Sequence, residues 1–229
     1  MQKQRDNTLD RYQLHLNNIG IDCSALVPGT IDVDHEFRQK VQGHTGTMNV
    51  GSFKVFSKNI DYINLIERLE YDEGSKSYGR YSRSEHVADQ WQVRYFMQTD
   101  KQGKLAPLDV FTESRIEKGF MNSRVVDAIW KGSGKMTTLP AHIQNDDLLE
   151  KLNSNQQLKK MLLQHLVSEK TVRIKVYTPK NNDEEWKDYV AIFGDWRDSK
   201  NLFVSKECFD MYDTIAQIIR DMISSLKYW

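Results

Sequence analysis

The sequence predicts an α+β fold in which antiparallel hairpins form a sheet flanked by helices, with a long C-terminal helix. Helical periodicity and strand-like alternation both occur along the chain, and each comes in separate runs. The runs do not follow the regular strand–helix–strand order that a parallel sheet requires. The most regular helical stripe lies at the C-terminal end, over residues 209–226.

The first third of the chain predicts a helix, the two strands of a hairpin and a second helix, over residues 8–18, 31–37, 50–56 and 60–70. Apolar residues recur every three or four positions in the first helix, and Gly20 follows as a stop signal. The two strands alternate apolar and polar residues around a glycine-containing turn at 43–46. The spacing of Tyr62, Ile66 and Leu69 predicts the second helix.

The middle of the chain predicts a loop, a hairpin and a helix, over residues 72–79, 91–111 and 120–130. Alternation is clearest from Trp91 to Gln98, which predicts a strand. A return strand follows over residues 105–111, although Pro107 interrupts it. Phe120, Val126 and Trp130 lie weakly in helical phase and predict the helix that precedes a glycine loop.

The last third predicts two helices, three short strands and the final helix, over residues 145–152, 158–166, 172–176, 189–193, 202–204 and 206–226. Asn145 is a candidate cap for the first of these helices, and two aspartates occupy its first turn. Val172, Ile174 and Val176 alternate as a strand. Ser205 is a candidate cap for the final helix.

Composition predicts a folded protein that forms its own core. The chain has 229 residues, of which 39% are apolar and 28% charged. That length allows one large domain or two small ones. Both ends contain a helix, strands and a helix, which predicts N-terminal and C-terminal α+β halves over 1–115 and 116–229, with a soft boundary.

The charge balance argues against a polybasic protein that binds nucleic acid by bulk attraction. The chain carries 32 Lys and Arg against 32 Asp and Glu. Residues 76–135 contain 11 basic and 7 acidic side chains, a net charge of +4. This middle segment is therefore where a local basic surface is expected.

The cysteine count and the lack of apolar segments predict a cytoplasmic protein. Cys23 and Cys208 are far apart in sequence, and two distant cysteines make neither a disulfide framework nor a zinc site. The first residues form no apolar signal segment. No run reaches the roughly 18 apolar residues of a membrane helix, so a membrane partner is not expected.

Basic and aromatic residues interleave over residues 76–96. This combination is typical of nucleic-acid-binding surfaces, because basic side chains bind phosphates and aromatic rings stack on bases. Two lysines in the later glycine loop would add to this surface. The candidate nucleic-acid-binding residues are Lys76, Tyr78, Arg80, Tyr81, Arg83, Arg94, Lys131 and Lys135. The sequence thus suggests a regulatory or accessory protein that acts by binding nucleic acid.

Two other functions fit parts of the sequence. The apolar C-terminal helix, with the hairpin tryptophans Trp186 and Trp196, is typical of a protein-interaction or assembly module whose partner is another protein or a second copy. Asp32, Asp34 and Glu36 lie on one side of a predicted strand and are candidate ligands of a metal-dependent phosphodiester hydrolase.

No motif assigns a reaction to this chain. Residues 132–138 resemble a phosphate-binding loop, but Ile129 stands where the first glycine belongs and Met136 where a hydroxyl residue should follow the lysine. The six histidines form no metal-binding spacing. We therefore expect binding rather than catalysis, with no catalytic residue, metal ligand or cofactor assigned.

Overall fold

The computed structural model describes residues 2–26, 45–73, 83–99, 109–118, 123–132, 145–166, 171–177 and 188–225. These ranges contain eight β-strands, four α-helices and one 3-10 helix. The strands form a single sheet in which all neighbouring strands are antiparallel. The predicted α+β class, with helices flanking an antiparallel sheet and a long C-terminal helix, is confirmed.

The strands in chain order are β1 (Cys23–Leu26), β2 (Thr45–Val55), β3 (Tyr62–Glu73), β4 (Arg83–Thr99), β5 (Asp109–Lys118), β6 (Ser123–Gly132), β7 (Arg173–Tyr177) and β8 (Asp188–Phe193). Their order in the sheet is β1-β2-β3-β4-β8-β7-β5-β6. The first four strands form a meander, and the hairpin β7–β8 lies between β4 and β5. The division into halves 1–115 and 116–229 stays a prediction, and the point between them falls inside β5.

The helices are α1 (Gln2–Asn18), α2 (Asn145–Ser154), α3 (Gln156–His165) and α4 (Lys206–Ser225), and the 3-10 helix spans Ser199–Asn201. The four α-helices pack on one face of the sheet, here called the inner face, and contribute to one apolar core. The opposite face is called the outer face. None of the helices in the described ranges combines the length and the apolar character needed to cross a membrane.

The core is centred on α4, whose apolar stripe is buried against the sheet. Eight of its side chains are buried: Cys208, Phe209, Met211, Tyr212, Ile215, Ala216, Ile219 and Met222. The ring of Tyr212 stacks on that of Tyr95 in β4, with 4.2 Å between centroids. Ser205 caps the helix as predicted, because its hydroxyl accepts a hydrogen bond from the Cys208 N–H at 3.2 Å. The stripe is therefore occupied within the fold.

Gly20 ends α1 in the way its position predicts. Its φ of 79° lies in the left-handed region, which glycine adopts without steric cost. The Ile21 N–H donates to the Leu16 carbonyl at 2.9 Å, and the Gly20 N–H donates to the Asn17 carbonyl at 3.0 Å. This is a Schellman motif, and the buried Ile21 and Leu16 supply its apolar contact.

A polar clamp holds α4 against the turn between β2 and β3. The Asp213 carboxylate accepts hydrogen bonds from Ser57 Oγ at 3.1 Å and Asn59 Nδ2 at 2.7 Å. About two turns further along α4, Arg220 donates from Nη2 to Asp61 Oδ2 and from Nε to the Asn59 carbonyl, both at 2.7 Å. Hydrogen bonds to charged groups contribute about 1.5–3 kcal/mol each, so the clamp links the C-terminal helix firmly to the N-terminal meander.

The helix predicted over residues 60–70 is wrong, because this segment forms most of β3. Ile63 and Leu65 are buried on the inner face, and Ile66 is buried on the outer face. A strand that is buried on both faces loses the alternation of apolar and polar residues. The spacing that remains between its apolar residues then resembles that of a helix.

The helix predicted over residues 120–130 is also wrong, because residues 123–130 belong to β6. Ala128 and Trp130 are buried on the inner face, whereas Ile129 between them is 45% exposed on the outer face. An exposed apolar residue on an edge strand removed the alternation that would have identified the strand.

Two smaller predictions also need correction. The predicted hairpin over 91–111 does not form, since β4 pairs with β3 and β8, while β5 pairs with β6 and β7. Residues 202–204 follow the 3-10 helix as irregular chain and are not a strand. The predicted strand over 31–37 lies outside the described residues.

Three tyrosines, Tyr12, Tyr95 and Tyr212, are buried where α1, α4 and the sheet meet. The hydroxyl groups of Tyr12 and Tyr95 lie near each other, and neither forms a hydrogen bond of good geometry. Desolvation by burial raises the pKa of all three tyrosines well above the ordinary value. The folded protein therefore keeps these phenols protonated where the unfolded chain would release their protons.

We expect the free energy of unfolding to decrease above about pH 10. An unfolded tyrosine loses its proton near pH 10, so deprotonation stabilises the unfolded state as the pH rises past that value. The stabilisation from keeping these phenols protonated is fully present below pH 10 and decreases as the pH rises above it. Urea unfolding followed by circular dichroism at pH 7.5 and pH 10.5 measures the change, and Tyr95→Phe should reduce it. A Tyr95→Phe loss above about 1 kcal/mol at pH 7.5 would show that the hydroxyl has a partner.

Side chains satisfy part of the free edge of the sheet at β6, over residues 128–130. Asn153 at the end of α2 accepts from the Trp130 N–H at 2.9 Å and donates to the Trp130 carbonyl at 3.1 Å. Asp127 Oδ1 accepts from the Ala128 N–H at 2.9 Å and pairs with Lys159 of α3 at 2.7 Å. Exposed strand edges can pair with other strands, and at residues 128–130 these side chains take the hydrogen bonds that a partner strand would make.

We expect Asn153→Ala to lower the free energy of unfolding by about 1–3 kcal/mol, because it leaves two backbone groups of Trp130 without partners. Chemical denaturation measures this loss, and size-exclusion chromatography at increasing concentration reports any association of the opened edge. Ser154→Ala is the matched control, since it removes an exposed hydroxyl and should change stability by less than about 0.5 kcal/mol. Equal stability of both variants would mean that Asn153 does not close the edge.

Candidate functional site

Five side chains lie in one row across the outer face and alternate between cations and aromatic rings. The register pairs each residue directly with the next on the neighbouring strand. Residues that are directly opposed in an antiparallel pair share one face of the sheet. The row runs from β4 to β6 in the order Arg94, Phe193, Arg173, Phe111 and Lys131. We call it the cation–aromatic row.

Two cation–π contacts form within the row. The Arg94 guanidinium carbon lies 5.0 Å from the centroid of the Phe193 ring, and that of Arg173 lies 5.6 Å from the centroid of Phe111. Contacts within about 6 Å contribute about 0.5–1 kcal/mol at exposed sites. Because neighbouring strands lie about 4.8 Å apart, the row is about 19 Å long.

The two ends of the row differ in exposure. Phe193 is 7% exposed, since it belongs to a second apolar cluster on the outer face with Ile66, Phe96, Tyr189 and Ala191. Arg94 and Phe111 are partly buried, whereas Arg173 and Lys131 are exposed. The surface that a ligand can reach therefore lies on β7, β5 and β6.

Hydrogen bonds and ion pairs position most cations of this face. Arg94 Nε donates to Gln92 Oε1 at 2.7 Å, and Gln92 Nε2 donates to the Gly194 carbonyl at 2.8 Å. Lys131 forms an ion pair with Glu113 on β5. Within the described residues, no carboxylate forms an ion pair with Arg173. Arg173 is therefore the cation of the row that is best placed to meet an external anion.

The structure brings two of the predicted site residues into this row. Arg94 and Lys131 are distant in sequence and lie at its two ends. Arg83 begins β4, and its side chain lies outside the described part of the chain. Lys76, Tyr78, Arg80, Tyr81 and Lys135 also lie outside the described residues.

Sequence reasoning missed Phe111, Arg173 and Phe193. The strand prediction over residues 172–176 identified the apolar face of β7 but not its other face, where Arg173 and Lys175 alternate with the apolar residues. That alternation was the available signal. Nothing in the sequence indicates that Phe111 and Phe193 flank Arg173, because strand order and register decide which residues are neighbours.

Both cysteines are buried in the fold. Desolvation by burial raises the pKa of Cys23 to about 11 and also raises the pKa of Cys208, so both thiols are protonated at neutral pH. Among the described side chains, no group of three His, Cys, Asp or Glu residues is placed to hold a metal ion. Asp32, Asp34 and Glu36, as well as the glycine loop after Gly132, lie outside the described ranges.

No protein-family model matches the chain, no curated protein matches its sequence, and no solved structure matches its fold.

Proposed function

We propose that this protein is a non-enzymatic regulatory or accessory protein that contacts nucleic acid through the outer face of its sheet. The observation that carries the proposal is the cation–aromatic row, in which three cations alternate with two rings along one line. Basic side chains bind phosphates, and aromatic rings stack on bases. A row that alternates these groups offers both contacts at intervals of about 4.8 Å.

Arg173 gives this proposal its chemical basis. Its planar guanidinium can donate two parallel hydrogen bonds to a phosphate, which a lysine ammonium cannot do. It is exposed and lies over the ring of Phe111, which limits its orientations. An arginine that is ordered in advance loses less entropy when it binds.

The balanced net charge makes the contact local. With 32 basic and 32 acidic residues, the protein has no bulk attraction for a polyanion. Binding would then depend on a few phosphate contacts, including any from the basic-aromatic segment 76–96 that ends beside Arg94. Such binding is sensitive both to salt and to the loss of single cations.

We expect the double variant Arg173→Gln, Lys131→Gln to weaken binding to a labelled oligonucleotide. Log affinity falls with log salt by about 0.7 per phosphate contact for single strands, so the double variant should make this slope shallower by about 1.4. Fluorescence anisotropy at several salt concentrations measures the slope. Both changed residues are exposed, so the fold should be retained.

The matched control is Lys151→Gln, Lys160→Gln, which removes the same net charge from exposed positions of α2 and α3. These helices pack on the inner face, so the control should bind as the wild type does. An equal loss in both variants would indicate bulk attraction and would contradict a site on the outer face.

The segment 76–96 has its own test. Arg80→Ala, Arg83→Ala should also weaken binding in a salt-dependent way, because two further phosphate contacts are removed. The same anisotropy titration measures the effect, with the Lys151→Gln, Lys160→Gln variant again as control. Unchanged affinity would remove Arg80 and Arg83 from the interface, and the cation–aromatic row would remain to be judged by its own variants.

A further inference from the structure

We infer that the outer face takes single-stranded nucleic acid, with Phe111 as the position on which a base stacks. This inference rests on the proposed function. It adds the class of ligand and assigns different roles to residues within the cation–aromatic row.

The dimensions of the row favour a single strand. The row crosses five strands and is about 19 Å long, whereas the major groove of duplex DNA is about 12 Å wide and admits a helix or a two-stranded ribbon. A sheet face of this width cannot enter the groove. The same length matches about five or six stacked nucleotides of a single strand at about 3.4 Å each.

The two rings of the row are not equivalent. Phe193 is 7% exposed and packs with Phe96 and Ala191, so it has no free surface for a base. Phe111 is only partly buried and lies on β5, between the exposed Arg173 on β7 and the exposed Lys131 on β6. Arg173 lies over one face of the Phe111 ring, 5.6 Å from its centroid, so Phe111 is the ring of the row that a base can reach, by its opposite face.

The neighbours of Phe111 suit a nucleotide. Each flanking cation lies about one strand spacing away, about 4.8 Å, so a base on the ring has a phosphate-binding group on either side. Ile129, 45% exposed on the same face and two residues before Lys131, adds apolar surface beside the ring. Base pairs in a duplex hide the faces that such a surface would contact, whereas unpaired bases expose them.

The experiment is an anisotropy titration of the full chain with labelled 12-nucleotide single strands of DNA and RNA and with the corresponding DNA duplex, at low and near-physiological salt. We expect at least one single strand to bind ten-fold or more tightly than the duplex. Phe111→Leu should weaken single-strand binding about 5- to 150-fold, the range for the loss of one stacked base. Its salt slope should stay that of the wild type, because no phosphate contact is lost.

Phe111→Tyr is the matched variant, because it retains a ring and should retain affinity. Circular dichroism of both variants checks the fold. If Phe111→Leu does not fold, the test is made with Phe111→Tyr and the wild type, for which equal affinity for duplex and single strand contradicts the inference. The inference is overturned if the duplex binds as tightly as the single strands and Phe111→Leu does not change the affinity. In that case, a salt-dependent loss of affinity in Arg173→Gln, Lys131→Gln would still support the proposed function. No binding to any oligonucleotide at low salt would instead overturn the proposed function.

Discussion

The rest of the structure depends on the pairing of β4 with β8. Six consecutive residue pairs, from Arg94 with Phe193 to Thr99 with Asp188, join the meander β1–β4 to the strands β8, β7, β5 and β6. A shift of one residue in this register would move every side chain of one strand to the other face. The shared core and the cation–aromatic row both require that the register is kept.

The two faces of the sheet hold this register for different reasons. On the inner face, Tyr95 of β4 stacks on Tyr212 of α4, and Ile192 of β8 lies in the same core. On the outer face, Phe96 and Ala191 pack in the second cluster. A one-residue slip would remove apolar side chains such as Tyr95 and Met97 from the inner core and place polar ones such as Gln98 there, where their polar groups would lack partners. The clamp between α4 and the turn between β2 and β3 adds hydrogen bonds to charged groups, which hold α4 against the N-terminal meander.

The fold buries some of the candidate functional groups and leaves others exposed. The apolar stripe of α4, which suggested an assembly module, fills the core, and both thiols are buried and protonated. Among the described residues, the outer face near β7, β5 and β6 carries exposed cations beside a ring that is partly accessible. An ion pair such as Lys131 with Glu113 contributes little to stability at the surface. Lys131 can therefore leave Glu113 and bind a phosphate at a small cost in free energy.

The sequence by itself determined the fold class and the positions of the four helices, including the end of α1 at Gly20 and the cap of α4 at Ser205. It also determined the strands at Trp91–Gln98 and 172–176, where apolar and polar residues alternate. It also identified Arg94 and Lys131 as candidates, because basic and aromatic residue types are visible without a fold. These features follow from contacts between residues a few positions apart, which periodicity and capping record directly. Only the tertiary structure decided that residues 62–70 and 123–130 are strands, since burial on both faces of β3 and the exposed Ile129 of β6 hide the alternation. Only the tertiary structure placed Phe111 and Arg173 between Arg94 and Lys131, because neighbours across a sheet are chosen by strand order and register, which depend on the packing of the whole chain.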